Sequence, residues 1–224
     1  MSVLDKISDR PLSLTDRVYA AVRDAIVANR FAEGQRLTEA GLARELGVSK
    51  TPVREALLRL EYVGLIRSGG PGGGQQVVTA SKDAIISAYE VRAGLEVQVA
   101  RAAAERGDAM LVAQARLHAE EAKAAVEGHD RSGFKAGDQN FHLTLSQATQ
   151  NHLLARFTRD VYDLTSALRQ RDVPDAPFSL ECAENHLDVV EAVERGDADT
   201  AGSLMRQHID TVRDRVLRAF ADSI

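Results

Sequence analysis

The chain has 224 residues, of which 44% are hydrophobic and 27% charged, with a formal net charge of −5. That is the composition of one large or two modest globular domains with a real core. It holds no apolar run of the ~18 residues a membrane span needs, and its single cysteine, Cys182, excludes an internal disulfide or a cysteine-built zinc finger.

Residues 1–10 carry Asp5, Lys6, Asp9 and Arg10 and lack the apolar stretch of a secretory leader, so the expected location is cytoplasmic, with no membrane partner. A first helix is expected over about 15–29, where Val18, Val22, Ala25 and Ile26 recur at helical spacing. Gly34 then allows a turn. Thr38 is a suitable N-cap for a second helix ending before Gly47. Ser49 opens a third, with Pro52 in its first turn, where a missing N–H costs nothing, and Val53, Ala56, Leu57 and Leu60 as its buried stripe. Six of the 16 glycines fall between Gly64 and Gly74. They separate Leu65-Ile66-Arg67 from Gln76-Val77-Val78-Thr79, which predicts a small β-hairpin with a glycine-rich loop.

After Ser81 the pattern changes to long amphipathic helices, which places a domain boundary at 78–82 and divides the chain into 1–79 and 80–224. Six helices are expected, at about 82–106, 108–127, 130–149, 151–171, 178–195 and 197–221. Gly107, Gly128, the Pro174 and Pro177 pair and Gly196 separate them, and Ser81 and Asp197 stand at N-termini. The fold class is therefore mostly α: three helices and a β-hairpin wing, then an all-α antiparallel bundle. Charge divides the same way. Residues 1–80 hold 11 Lys and Arg against 9 Asp and Glu, whereas residues 81–224 hold 17 against 24. With aromatics at 4% and no Trp, a single-strand stacking platform is not expected, while a helical reader of duplex DNA stays open.

Within residues 38–57, Ala43 is small where two helices would cross. Gly47 follows at a turn that needs positive φ, and Val53 lies ten after Ala43 to pack the second helix on the first. Those offsets are the requirements of a helix-turn-helix. Residues 37–66, above all Val48-Ser49-Lys50-Thr51-Pro52-Val53-Arg54-Glu55-Ala56-Leu57, resemble the winged helix-turn-helix of GntR-type bacterial transcription regulators. The resemblance implies that Ser49, Lys50, Thr51 and Arg54 face DNA. Hydroxyls at a helix N-terminus suit phosphate, and Arg54, one turn on, can reach guanine O6 and N7. Lys50 stands where the family more often has Arg. Residues 69–74 offer no Arg or His, so base preference is expected to rest on the third helix.

The six histidines are at 118, 129, 142, 152, 186 and 208. Asp138 and His142 are i and i+4 on one helical face, and His186 and His208 flank the turn at Gly196. Facing helices of a bundle are where such side chains assemble metal sites. His118 and His152 show no partner pattern, and His129-Asp130 falls in a turn. Tyr89-Glu90-Val91-Arg92 with Leu95-Glu96, then Asp138-Gln139-Asn140-Phe141-His142, Asn151, Glu184-Asn185-His186, Gly196-Asp197 and His208 resemble the ligand-binding domain of the FadR branch of the GntR family. That resemblance implies a divalent metal held by Asp138, His142, His186 and His208, zinc first, with nickel or manganese as alternatives. It also implies Arg92 as anchor for a small organic acid, against which stands a plain pairing with Glu96 at i+4.

The expected function is a homodimeric transcriptional repressor on a palindromic double-stranded DNA operator, controlled by a carboxylate effector at the metal, and not an enzyme. Two alternatives stand beside it. One is a metal-dependent hydrolase or lyase carrying a DNA-binding head, with Glu96 or Glu184 as acid or base. The other is an effector-independent DNA-binding dimer.

Overall fold

The computed structural model describes residues 13–69, 74–169 and 176–222. Residues 1–10, the glycine-rich loop tip 70–73, the expected end of a helix at 170–171, and Pro174 lie outside them. The chain divides into two compact units, Met1–Thr79 and Ala80–Ile224.

The first unit runs α1 Leu14–Val27, β1 Arg36–Leu37, α2 Glu39–Leu46, α3 Lys50–Val63, β2 Ile66–Ser68 and β3 Gln75–Val77. α1 opens on a capping box, in which the Asp16 N–H donates to the Ser13 hydroxyl and the Ser13 N–H to the Asp16 carboxylate. It buries Val18, Val22, Ala25 and Ile26. Thr38 caps α2 by accepting from the Gly41 N–H at 3.1 Å, and Gly47 ends it at φ 66°, a left-handed conformation that favours glycine. α3 packs on α1 and α2 through Val53, Ala56, Leu57 and Leu60.

The sheet differs from the expected hairpin in two ways. Its order is β1-β3-β2, all antiparallel, because Arg36 and Leu37 pair with Gln76 and Gln75. A two-residue strand carries no alternation to read, so sequence periodicity missed it. The hairpin arms are also shifted: the first begins one residue later than expected, and the second begins one residue earlier and ends two earlier. The Leu65 N–H donates to the Leu60 carbonyl at 3.0 Å, which ties Leu65 into the cap of α3 rather than the strand.

The second unit consists of α4 Lys82–Arg106, α5 Ala109–Glu127, α6 Arg131–Ala148, α7 His152–Leu168, α8 Ala176–Glu194 and α9 Ala198–Ala221. Ser81, Asp108, Asp130, Asn151 and Asp197 cap α4, α5, α6, α7 and α9, each accepting a backbone N–H with its side chain. Among the described residues, a small polar side chain thus opens each of these five helices. α4 packs against α6, α7, α8 and α9 and is the central helix. It buries Tyr89, Ala93, Val99, Ala100 and Ala103, and among them the charged pair Arg92 and Glu96.

α5 and α6 pack closely at Gly137, where a Cβ would sit 2.9 Å from the backbone N and Cα of Ala122. Relief would require moving one helix off the other. Gly137→Ala is therefore expected to lower stability by about 1–3 kcal/mol through overpacking, although alanine is the better helix former. Urea unfolding reads this directly, and an unchanged midpoint would show that the helices part freely.

Candidate metal centre and nucleic-acid interface

Four helices of the second unit converge on one buried polar cluster. α6 supplies Asp138 and His142, α8 His186, α9 His208, and α4 Arg92 and Glu96. None of the six is more than 4% exposed. His142, His186 and His208 each present a ring nitrogen within 4.8 Å of the others. Asp138 Oδ1 lies 3.7 Å from His186 Nε2 and 4.0 Å from His142 Nε2. The four residues expected as ligands are thus in one place.

The Nε2 atoms of His186 and His208 face each other at 3.1 Å, so at most one of them carries a proton. The Nδ1 atoms of both rings are buried without a hydrogen-bond partner. Even where one Nε2–H donates to the other, the two Nδ1 atoms stay buried and unsatisfied, one as a donor and one as an acceptor, which costs free energy. One carboxylate and three imidazoles form a donor set that first-row divalent ions take. The residues fit such an ion.

Neighbouring groups fix which lone pairs are presented. An arginine can only donate, so Arg92 Nη2, 3.1 Å from His142 Nε2, requires that Nε2 be the unprotonated nitrogen. The His142 proton then sits on Nδ1 and is donated to Glu96 Oε2. A carboxylate behind an imidazole in this way orients the ring and raises the basicity of Nε2, which a metal would take in place of Arg92 Nη2. The Tyr162 hydroxyl donates to Asp138 Oδ2 at 2.5 Å, and the Cys182 thiol approaches Oδ1 at 3.7 Å.

Arg92 does pair with Glu96, Nε to Oε1 at 2.6 Å, so that alternative holds in part. Its Nη1 is nevertheless buried with no partner, a donor left for something else.

Burial sets the protonation states. It lowers His142 and His208 well below the ordinary value, reinforced by Arg92 and by the neighbouring imidazoles, and lowers His186 to about 4 against the pull of Asp138. Burial alone would raise Asp138, but its electrostatic interactions with His142, His186 and the guanidinium groups of Arg169 and Arg92 hold it far below the usual carboxylate range. Neutral imidazoles and an ionised carboxylate are the states a metal needs.

For the metal-stripped protein these shifts have a definite sign. Histidines with depressed native pKa take up protons first in the unfolded chain. Stability is therefore full above the ordinary value of 6.5 and is lost below it, down to about 4 for His186. The slope is about 1.4 kcal/mol per pH unit for each group involved. Urea midpoints that do not fall between pH 7 and pH 5 would contradict the assignment.

In the first unit, Ser49, Lys50, Thr51 and Arg54 are all exposed along the start of α3. Ser49 has N-cap backbone geometry, but its side chain makes no capping hydrogen bond, which leaves the hydroxyl and the first N–H groups of α3 open to a phosphate. Arg54 is held by Glu39 of α2 in a two-pronged contact, Nε to Oε1 at 2.8 Å and Nη2 to Oε2 at 2.9 Å. An exposed pair of this kind is weak and exchanges readily for a stronger acceptor. The expected dearth of basic side chains in the glycine-rich loop is offset by its strands. Arg36 and Arg67 both stand opposite Gln76 and share its face of the sheet. A Cβ on Gly74 would lie 3.0 Å from Arg36 Nε, so this side chain runs along the base of the loop. A groove of about 510 Å³ joins the two regions, lined by Arg36, Thr38, Glu39, Arg54, Ser68 and Gln75.

Residues 14–74 match the description of bacterial regulatory proteins of the gntR family, and residues 87–211 match the FCD domain. The chain belongs to the GntR family. Over 203 residues it is 31% identical to the "Probable D-xylose utilization operon transcriptional repressor" of Paenarthrobacter nicotinovorans, covering 86% of this chain and 85% of that protein. Over 223 residues it is 30% identical to the Uxu operon transcriptional regulator of Escherichia coli K12, covering 89% and 85%. Among solved structures, McbR/YncC of E. coli superposes with a TM-score of 0.79 at 21% identity, over 94% of this chain and all of that one, a likeness of fold.

This GntR-family member is a DNA-binding transcriptional regulator with an FCD domain, and its relatives are regulators rather than enzymes. The hydrolase or lyase alternative therefore falls. Glu96, its candidate acid or base, is engaged instead by Arg92 and His142. Glu184, the other, lies 3.3 Å from Lys123 on the outside of the bundle. His118 pairs with Glu121 at 2.9 Å, and Asp130 serves as the cap of α6, so neither joins the cluster. Sequence reading passed over Tyr162 and Arg169, which complete the surroundings of Asp138.

Proposed function

We propose that the protein is a homodimeric repressor that binds a palindromic operator through α3 and releases it when a small carboxylate binds a divalent metal in the helical unit. Zinc is the first choice, with nickel or manganese as alternatives, and a cytoplasmic location goes with the role. The observation that carries this reading is the fully buried cluster of Asp138, His142, His186 and His208 beside a guanidinium with one unpartnered nitrogen. Asp138, His142, His186 and His208 would hold the ion, and Arg92 would take the second oxygen of the effector's carboxylate. An ion that accepts more ligands than the protein provides would offer a position for the first, and would polarise it. A symmetric dimer presents two α3 helices to two half-sites. A coupling of about 1–3 kcal/mol between effector and operator suffices for regulation.

The test is a thermal melt of metal-stripped and zinc-reloaded protein against a panel of small carboxylates. A ligand that binds only the folded state raises its apparent stability. Stabilisation by a carboxylate that occurs only in the reloaded protein, with loss of operator affinity under the same conditions, is the expected result. Metal stabilisation with no carboxylate response and unaltered operator binding would leave the effector-independent dimer.

A further inference from the structure

Cys182 is the chain's sole cysteine, and it is buried inside the helical unit rather than on its surface. It precedes His186 by four residues on α8, so both side chains leave the same face of that helix. Asp138 and His142 have the same spacing on α6. Two i, i+4 pairs thus meet across the interior. Asp138, Cys182 and His186 each offer a donor atom within 4.8 Å of the others, and His186 belongs as well to the group formed with His142 and His208. A separate observation points to a ligand at this spot. His186 and His208 turn their Nε2 atoms on one another at 3.1 Å while their Nδ1 atoms have no partner.

We propose that Cys182 Sγ is a further protein ligand to the metal, beside Asp138 on the α6–α8 side of the cluster. This rests on the metal reading given above. On metal binding the thiol proton, now directed at Asp138 Oδ1, would be lost to solvent, leaving a thiolate as the donor. A thiolate added to imidazoles and one carboxylate makes the site softer. It favours zinc or cobalt over manganese and magnesium, which prefer oxygen. Cys182 is then a specificity-determining residue for the metal, and not merely a small apolar side chain in the core.

Cobalt(II) added to the metal-stripped full-length protein tests this, because its visible bands report binding and a near-ultraviolet sulfur-to-cobalt charge-transfer band reports thiolate ligation. Both bands are expected in the unaltered protein. In Cys182→Ser, which keeps a hydrogen-bond donor to Asp138 and nearly the same volume, the visible bands should persist and the charge-transfer band vanish. Competition should show the preference for zinc over manganese falling about tenfold or more. Visible bands without charge transfer in the unaltered protein would overturn the role of Cys182 and leave the metal site standing. No visible bands at all would overturn both. The decisive reading is made on the unaltered protein, so it stands even if Cys182→Ser folds poorly.

Discussion

His186→Ala is expected to reduce bound metal from one ion per chain to a trace and to abolish any rise in melting temperature on adding zinc. His186 is the side chain common to both donor groups, within reach of His142 and His208 and also of Asp138 and Cys182. Its loss removes a donor from both groups at once, whereas replacing any other ligand removes one from a single group. The substitution has a structural cost too. The imidazole stacks on Phe141 with ring centroids 4.2 Å apart and is fully buried, so the metal-free variant should itself be less stable than the metal-free parent. The two effects separate cleanly when each protein is melted with and without metal. The parent gains about 2.7 kcal/mol at a metal concentration one hundred times its dissociation constant, and the variant gains nothing. Elemental analysis returning one ion per chain for the variant would show that His186 is not a ligand.

The reach of sequence reasoning differed between the two units for physical reasons. Helices α4 to α9 were legible to within a few residues because glycines and side-chain caps such as Asp130 and Asn151 mark the turns between long amphipathic stretches. β1 was not legible, since Arg36 and Leu37 become a strand only by pairing with β3, a contact 40 residues distant that leaves no local pattern.

In the site, i, i+4 spacing on α6 was visible in the chain, whereas the convergence of α6, α8 and α9 rested on the family likeness and is displayed only by tertiary structure. Glu96 was visible merely as a helical neighbour of Arg92. That it also fixes the proton of His142 depends on packing between α4 and α6, which no spacing encodes. Cys182 did carry a signal, its four-residue separation from His186, but a single cysteine among apolar neighbours reads equally as core.

On the DNA side, Arg54→Ala is expected to weaken operator binding about ten- to a hundredfold and to relax base preference at one position in each half-site. The fork of Arg54 is already shaped by a two-point acceptor, since Glu39 occupies Nε and Nη2 with its two oxygens. Guanine O6 and N7 offer a comparable pair, so DNA binding exchanges one bidentate partner for another with little reordering of the side chain. The Glu39 carboxylate lies below its ordinary pKa because of that hydrogen bond.

Arg54→Lys separates charge from geometry. Lysine keeps the positive charge, so the steepness of salt dependence should be preserved, while the loss of the planar fork should relax base preference as alanine does. Titration of both variants on the operator and on a half-site variant, at two salt concentrations, distinguishes a base reader from a phosphate contact. A lysine variant with intact base preference would place Arg54 on the phosphate backbone. Specificity would then have to come from the rest of the α3 face and from Arg36 and Arg67 on the sheet beside Gln76.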